Sequence, residues 1–226
     1  MRGVVRTRRG AQPNWPETGG AVALTDRLQQ SRSTPPFDIV AIAASAGGVI
    51  ALTEILGRLP AHFGAIVVIV QHVDPRHRSL MPQVIGRQSR LPVRHAQDGM
   101  ELEPDHVYLA PPDEHLLING DGTVTLTHTE LVNFVRPSAD LLFESVAAAY
   151  GKRAIAVVLT GTGHDGSIGV TAIKQRGGTV IAQDEASSEF FGMPSAAIKT
   201  GAVDFVLSLD AIPSALETLL ASKAPD

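Results

Sequence analysis

Three short segments hold the residue types that nucleophilic chemistry needs. Ala43-Ala44-Ser45-Ala46-Gly47 sets a serine among small residues, Gln71-His72 offers an imidazole, and Gly161-Thr162-Gly163-His164-Asp165-Gly166 offers a carboxylate between glycines. A neutral imidazole can take a hydroxyl proton and later return it to a leaving group. A carboxylate behind the imidazole would hold its tautomer and stabilise the imidazolium. Taken singly, each residue also has a plainer role: Ser45 and Asp165 as helix caps, and His72 as a structural or surface imidazole.

The first segment must also be weighed against phosphate binding. Dinucleotide sites use G-x-G-x-x-G, and phosphate loops use G-x-x-x-x-G-K-[ST]. Here Ala43 and Ala44 stand where the early glycines would be, and no lysine follows Gly48. Read as x-x-S-x-G between a strand and a helix, the segment is closer to a nucleophile elbow, with alanine in the first glycine position. His164 is an alternative base in the same loop as Asp165. A metal set of His72, His77 and Asp165 is conceivable, but no H-E-x-x-H or comparable spacing accompanies it.

The elements that must position these residues follow from the apolar pattern. IVAIA (39–43) and AIVVIV (65–70) are continuous apolar runs of strand length, and AIAVVLT (154–160) is a third. Helix-period stretches follow each, with Val49, Leu52, Ile55, Leu56 and Leu59 on one face of the first and Leu80, Val84 and Ile85 carried by a helix over 79–89. Further strands are expected within HVYLAPPDEH (106–115), stopped by its two prolines, and at 179–183 and 204–208, and helices over 139–150, 165–175, 195–199 and after Asp210. HLLI and TVTLT straddle Asn119-Gly120-Asp121-Gly122 and read as a hairpin at the sheet's margin. This alternation predicts an α/β fold: a doubly wound, mostly parallel Rossmann-like sheet with helices on both faces. Ligands in such sheets gather past the carboxyl ends of the strands, which is where Ser45, His72 and Asp165 all fall.

Composition agrees. The chain has 226 residues, 44% hydrophobic but only 4% aromatic, so its core must be built from Val, Ile, Leu and Ala, as in strands covered on both faces. A net charge of −4 gives no electrostatic reason to bind nucleic acid. The absence of cysteine excludes disulfides, Cys-based zinc sites and a cysteine nucleophile, and fits a cytoplasmic protein. No apolar run reaches the roughly 18 residues of a membrane span. Residues 1–36, Arg-rich and then Pro/Gly-rich, read as a disordered arm with a helical possibility over 21–30, ahead of one domain over 37–226.

The ordered set AIAASAGG, VQHVDPRH, YLAPPDEHLL, RPSADLLFESVA, VVLTGTGHDGSIG, AQDEASSEFFGMPSAAI and GAVDFVL resembles the catalytic domain of the chemotaxis protein-glutamate methylesterases, the CheB family, over about residues 37–221. The resemblance implies a serine hydrolase that removes methyl groups from glutamate γ-methyl esters on the cytoplasmic helices of chemoreceptors, with deamidation of receptor glutamines as a second activity and no cofactor or metal. It implies Ser45 as nucleophile, His72 as base and Asp165 as its partner, with main-chain N–H groups of Ala46 and Thr162 as the oxyanion hole and Gly192 and Met193 at the substrate groove. Many members carry Thr and Met at the two oxyanion positions, and a basic residue is common where this chain has Ser195. The family's usual N-terminal receiver domain is not expected in residues 1–36, so control by phosphorylation within the chain is not expected either. A catalytically silent module that binds receptor helices is the alternative from another class. A nucleotide-binding domain would fit the sheet but lacks its fingerprint.

Overall fold

A computed structural model describes residues 38–73 and 80–222. The arm over 1–36, the helical stretch expected over 21–30, and His77 lie outside the described residues.

Seven strands form one sheet, and every pairing in it is parallel. They are β1 (Asp38–Ala44), β2 (Ala65–Gln71), β3 (Val93–His95), β4 (Val107–Leu109), β7 (Ala154–Val158), β8 (Thr179–Gln183) and β9 (Phe205–Leu207), in the order β3-β4-β2-β1-β7-β8-β9. The expected doubly wound, mostly parallel α/β sheet is therefore present, with antiparallel strand pairing among the described residues confined to the hairpin. β5 (His115–Ile118) and β6 (Val124–Thr127) make a separate antiparallel hairpin.

The apolar runs are continuous because both faces of the sheet are covered. Ile39, Ala41 and Ala43 of β1 point into one core with α3 (Ala139–Tyr150), α4 (Ser167–Gln175) and α5 (Gly192–Lys199). Val40, Ile42 and Ala44 point into the other with α1 (Gly48–Arg58), α2 (Met81–Gly86) and α6 (Ile212–Ser222). This strict alternation is what a period of two gives on a strand buried on both faces. No helix among the described residues is long and apolar enough to cross a membrane.

Some expectations shift in detail. α1 buries Ala51, Leu52, Ile55 and Leu56, while Val49 is only partly covered. α2 is shorter than the expected 79–89, and of the three apolar residues placed on that helix only Ile85 is buried; Leu80 and Val84 are exposed because this six-residue element covers little of the sheet. β3 was not expected from the pattern, since three partly buried residues leave no periodic signal. α5 starts at Gly192, three residues before the expected Ser195, because Pro194 is tolerated in a first turn, where its missing N–H has no intrahelical acceptor.

The chain leaves β1 for β2 on one side and later returns to β7 on the other, so the sheet's winding reverses between β1 and β7. The loops there diverge to opposite faces and leave a crevice at the carboxyl ends.

Candidate active site

The crevice is built from the ends of β1, β2 and β7. Beyond β1 the chain turns at once into α1. Gly47, at φ 77°, takes the left-handed conformation that starts this helix, and a Cβ there would lie 2.7 Å from Glu189 Oε2. The elbow is held from β7: the Ser45 N–H donates to the Thr160 carbonyl at 3.0 Å, and the Thr160 hydroxyl donates to the Ala46 carbonyl at 3.0 Å. Thr160 is anchored in turn by the buried Gln183, whose Oε1 accepts the Thr160 N–H at 2.8 Å. The residue that starts α1 is Gly47, two positions after Ser45, and it has no side chain to cap the helix.

His72 stands beside the elbow because its N–H donates to the carbonyl of Ala44, the residue before the serine, at 3.1 Å. Its ring lies 2.8 Å from Asp165, Nε2 to Oδ2, with side-chain exposures of 14% and 4%. A carboxylate can only accept, so a bond between the two is donated by Nε2–H. The exposed His164 does not share this contact: the Asp165 carboxylate pairs with His72 instead.

Asp165 is a helix cap after all, but not of the helix it precedes. Its Oδ2 also accepts the Ala139 N–H at 2.6 Å, and its Oδ1 accepts the Ser138 hydroxyl at 2.8 Å and the Asp140 N–H at 3.3 Å. These are the orphan donors at the start of α3, whose own N-cap residue Ser138 makes no side-chain cap bond to it. Asp140 returns the favour, its Oδ1 accepting the N–H groups of Ile168 and Gly169 in the first turn of α4 at 2.9 and 2.8 Å. Asn133 Nδ2 donates to its other oxygen at 2.9 Å. Two buried carboxylates thus cap each other's helices. Burial acts to raise the Asp165 pKa, but the bonds from His72, Ala139 and Ser138, with the attraction of His72, outweigh it and hold the value below the usual carboxylate range. The Asp140 carboxyl is pushed up, first by burial and then by the charge of Asp165, against the main-chain bonds that favour its ionised form.

His115, fully buried at the start of β5, accepts the Ser138 N–H on Nδ1 at 3.1 Å and reaches the Glu130 carbonyl with Nε2 at 3.0 Å. A continuous chain of bonds therefore runs from His72 through Asp165 and Ser138 to the hairpin. Ser138, Asp140, His115 and Thr160 were not singled out from the sequence. The only linear signal was Arg136-Pro137-Ser138 punctuation before a helix, which marks a cap but not its partner.

Ala46 is partly exposed and Thr162 exposed, and among the described residues neither main-chain N–H donates to any group. Gly161, the residue before Thr162, lies so close to Ser45 that a Cβ on it would be 2.8 Å from Ser45 Cβ and 2.4 Å from Met193 Sδ. Met193 is 1% exposed and donates its N–H to the Gly161 carbonyl at 2.8 Å. Gly192 packs on the same loop, where a Cβ would lie 3.1 Å from Thr162 Cα. The two residues expected at the substrate groove thus sit directly against the loop that carries Thr162.

The match to known proteins covers the same region. The family described as CheB methylesterase matches residues 40–216. The chain is 45% identical over 181 residues to a protein-glutamate methylesterase/protein-glutamine glutaminase of Burkholderia orbicola, covering 80% of this chain and 54% of that protein. It is 39% identical over 176 residues to a putative protein-glutamate methylesterase/protein-glutamine glutaminase of Leptospira interrogans, covering 78% of this chain and 91% of that one. The crystal structure of the Thermotoga maritima CheB methylesterase catalytic domain superposes with a TM-score of 0.79 at 38% identity, over 81% of this chain and 98% of that domain. The chain spans about half the length of several curated relatives it matches, 50% and 54% for two of them. With a parallel sheet, a serine elbow at its switch point and an ordered likeness running from β1 into α6, the chain belongs to the CheB methylesterase family.

Proposed function

We propose that the protein is a protein-glutamate methylesterase that works through Ser45, His72 and Asp165. The observation that carries this reading is the partly buried His72–Asp165 pair, 2.8 Å apart and backed by the α3 N-terminus, at the same crevice as the serine elbow. Asp165 takes the Nε2–H, so Nδ1 is the base, the opposite nitrogen from that used in the chymotrypsin-type triad.

In the first half-reaction Nδ1 takes the Ser45 hydroxyl proton as Oγ bonds the ester carbonyl carbon. The carbonyl oxygen becomes an oxyanion, for which we assign as donors the N–H groups of Ala46 and Thr162, which donate to no other group among the described residues. The carbon–methoxy bond then breaks, the methoxy oxygen takes the proton from Nδ1, and methanol leaves. Water gives a proton to Nδ1 and attacks the glutamyl ester of Ser45, releasing the glutamate carboxylate and restoring the serine. Main-chain donors do not depend on side-chain identity, so Ala46 and Thr162 serve as well as the residues common in relatives. Gly192 and Met193 set the height of the Thr162 loop above the nucleophile.

The substrates we infer are γ-methyl glutamate esters on the cytoplasmic helices of chemoreceptors, and receptor glutamines, whose carboxamide carbon is attacked in the same way with ammonia leaving. The protein acts in the cytoplasm, where those helices lie. The test is release of volatile methanol from methyl-labelled receptor membranes of the same organism. Wild type should release it, and Ser45→Ala should retain only the small residual rate that binding and an oxyanion hole provide. Equal rates for the two would overturn the assignment.

A further inference from the structure

Gln71 ends β2 directly before His72 and is 6% exposed. Its Nε2 has two hydrogens and donates to the carbonyl of Ser45 and to the carbonyl of His72, each at 2.9 Å. Among the described residues no other side chain bonds both segments. The ladder between β1 and β2 ends at the Ala44–Gln71 pair and the His72 N–H bond to Ala44, beyond which the two chains part, Ser45 into the elbow and His72 into the next loop. The amide supplies one further rung where main-chain pairing has stopped.

The other end of the same amide is left without a partner. Gln71 Oε1 is buried, accepts no hydrogen bond from the described residues, and lies against Gly48 so closely that a Cβ there would be 2.0 Å from it. A buried acceptor without a donor is a cost to folding that methionine or leucine at this position would not carry. Interchanging the amide's ends would set Oε1 against two carbonyl oxygens, so the double donation fixes its orientation. A polar group held at a cost to stability and aimed at two site residues points to a role in the site.

We propose that Gln71 is a positioning residue for the hydrolytic step, acting through the Ser45 and His72 main chains to fix the separation of the serine hydroxyl and the imidazole. The proposal rests on the Ser45–His72–Asp165 reading. Gln71 touches neither substrate nor reacting atoms, so its loss should appear in the chemical step and not in binding. A misplacement near 1 Å between reacting groups costs roughly 100-fold.

The experiment compares wild type, Gln71→Met, Gln71→Glu and Ser45→Ala by methanol release and by the rate at which a fluorophosphonate labels Ser45, each per folded molecule from circular dichroism. Gln71→Met keeps length and volume but removes both donors; kcat and the labelling rate should fall together by roughly 10- to 100-fold, with KM within about twofold. Gln71→Glu sets a carboxylate oxygen against the two carbonyls and should fall at least as far. A Gln71→Met protein that turns over and labels like wild type overturns the proposal, as does a change confined to melting temperature or KM. Wild type that Ser45→Ala matches in both assays overturns the Ser45 reading and this proposal with it. Wild type that labels beside a Gln71→Met that labels equally fast overturns the proposal alone.

Discussion

Replacing Asp165 should separate its capping of α3 from the catalytic task we propose for it. In Asp165→Ala the N–H groups of Ala139 and Asp140 lose their acceptor and cannot turn away, because they are fixed in the first turn of α3. The Ser138 hydroxyl can rotate to another partner. Two buried main-chain donors at about 1–3 kcal/mol each give a loss on the order of 4 kcal/mol, or about 8–16 °C in Tm for a chain of this size. Catalysis should fall by about 10⁴-fold in kcat, since His72 loses both the acceptor that sets its tautomer and the charge that stabilises its imidazolium. Asp165→Asn divides the two losses. With its oxygen in the Oδ2 position it still accepts from Ala139 and from His72, and its NH₂ donates to the Ser138 oxygen but can no longer accept from the Asp140 N–H, so about half of the stability returns. The charge does not return, and kcat should stay at least 100-fold below wild type. Thermal unfolding and methanol release on the three proteins test this directly. An Asn variant within tenfold of wild-type kcat would refute the electrostatic role, and an Ala variant with wild-type Tm would refute the capping role.

Asp140→Ala should destabilise by about 2–4 kcal/mol, because the Ile168 and Gly169 N–H groups and Asn133 Nδ2 lose their acceptor; urea unfolding measures it, and Asp140→Asn, which keeps an acceptor for the α4 donors, should lose less. The lowered Asp165 pKa contributes stability that is complete above the unfolded value near 3.9 and is lost as pH falls through the folded value, so the wild-type urea midpoint should drop steeply there, and Asp165→Asn should show a shallower fall. Asp140, whose pKa is raised, contributes in the opposite sense, and the stability of wild type relative to Asp140→Asn should be greater at pH 3.5 than at pH 7. Gly161→Ala sets a methyl 2.8 Å from Ser45 Cβ; Met193 can swing away but the elbow cannot, so kcat should fall roughly 100-fold with only a few degrees lost in Tm, measured by methanol release and calorimetry.

Much of the architecture was legible because burial on both faces writes itself into the chain. β1, β2, β7 and β8 are runs of Val, Ile and Ala with no polar interruption, and α3 lies at the predicted Ala139–Tyr150. Weakly buried elements left less trace: β3 went unread, and Leu80 and Val84 look like core residues but face solvent. That Ser45, His72 and Asp165 lie past the ends of neighbouring strands was legible because strand ends are readable and a parallel sheet brings those ends together. Their supports were not. Nothing in Ser138-Ala139-Asp140 says that the carboxylate capping this helix comes from Asp165, or that Asp140 caps α4 in return. Nor does Gln71 announce that its amide ties Ser45 to His72 across two strands. The sequence by itself determined the periodicities, and with them the strands, the helices and the edge on which serine, histidine and aspartate fall. Only the tertiary structure decided which ring nitrogen of His72 faces Asp165 and which helix each buried carboxylate caps. Periodicity records burial along the chain, whereas a hydrogen bond is chosen by whichever donor and acceptor the packed helices bring within 3 Å.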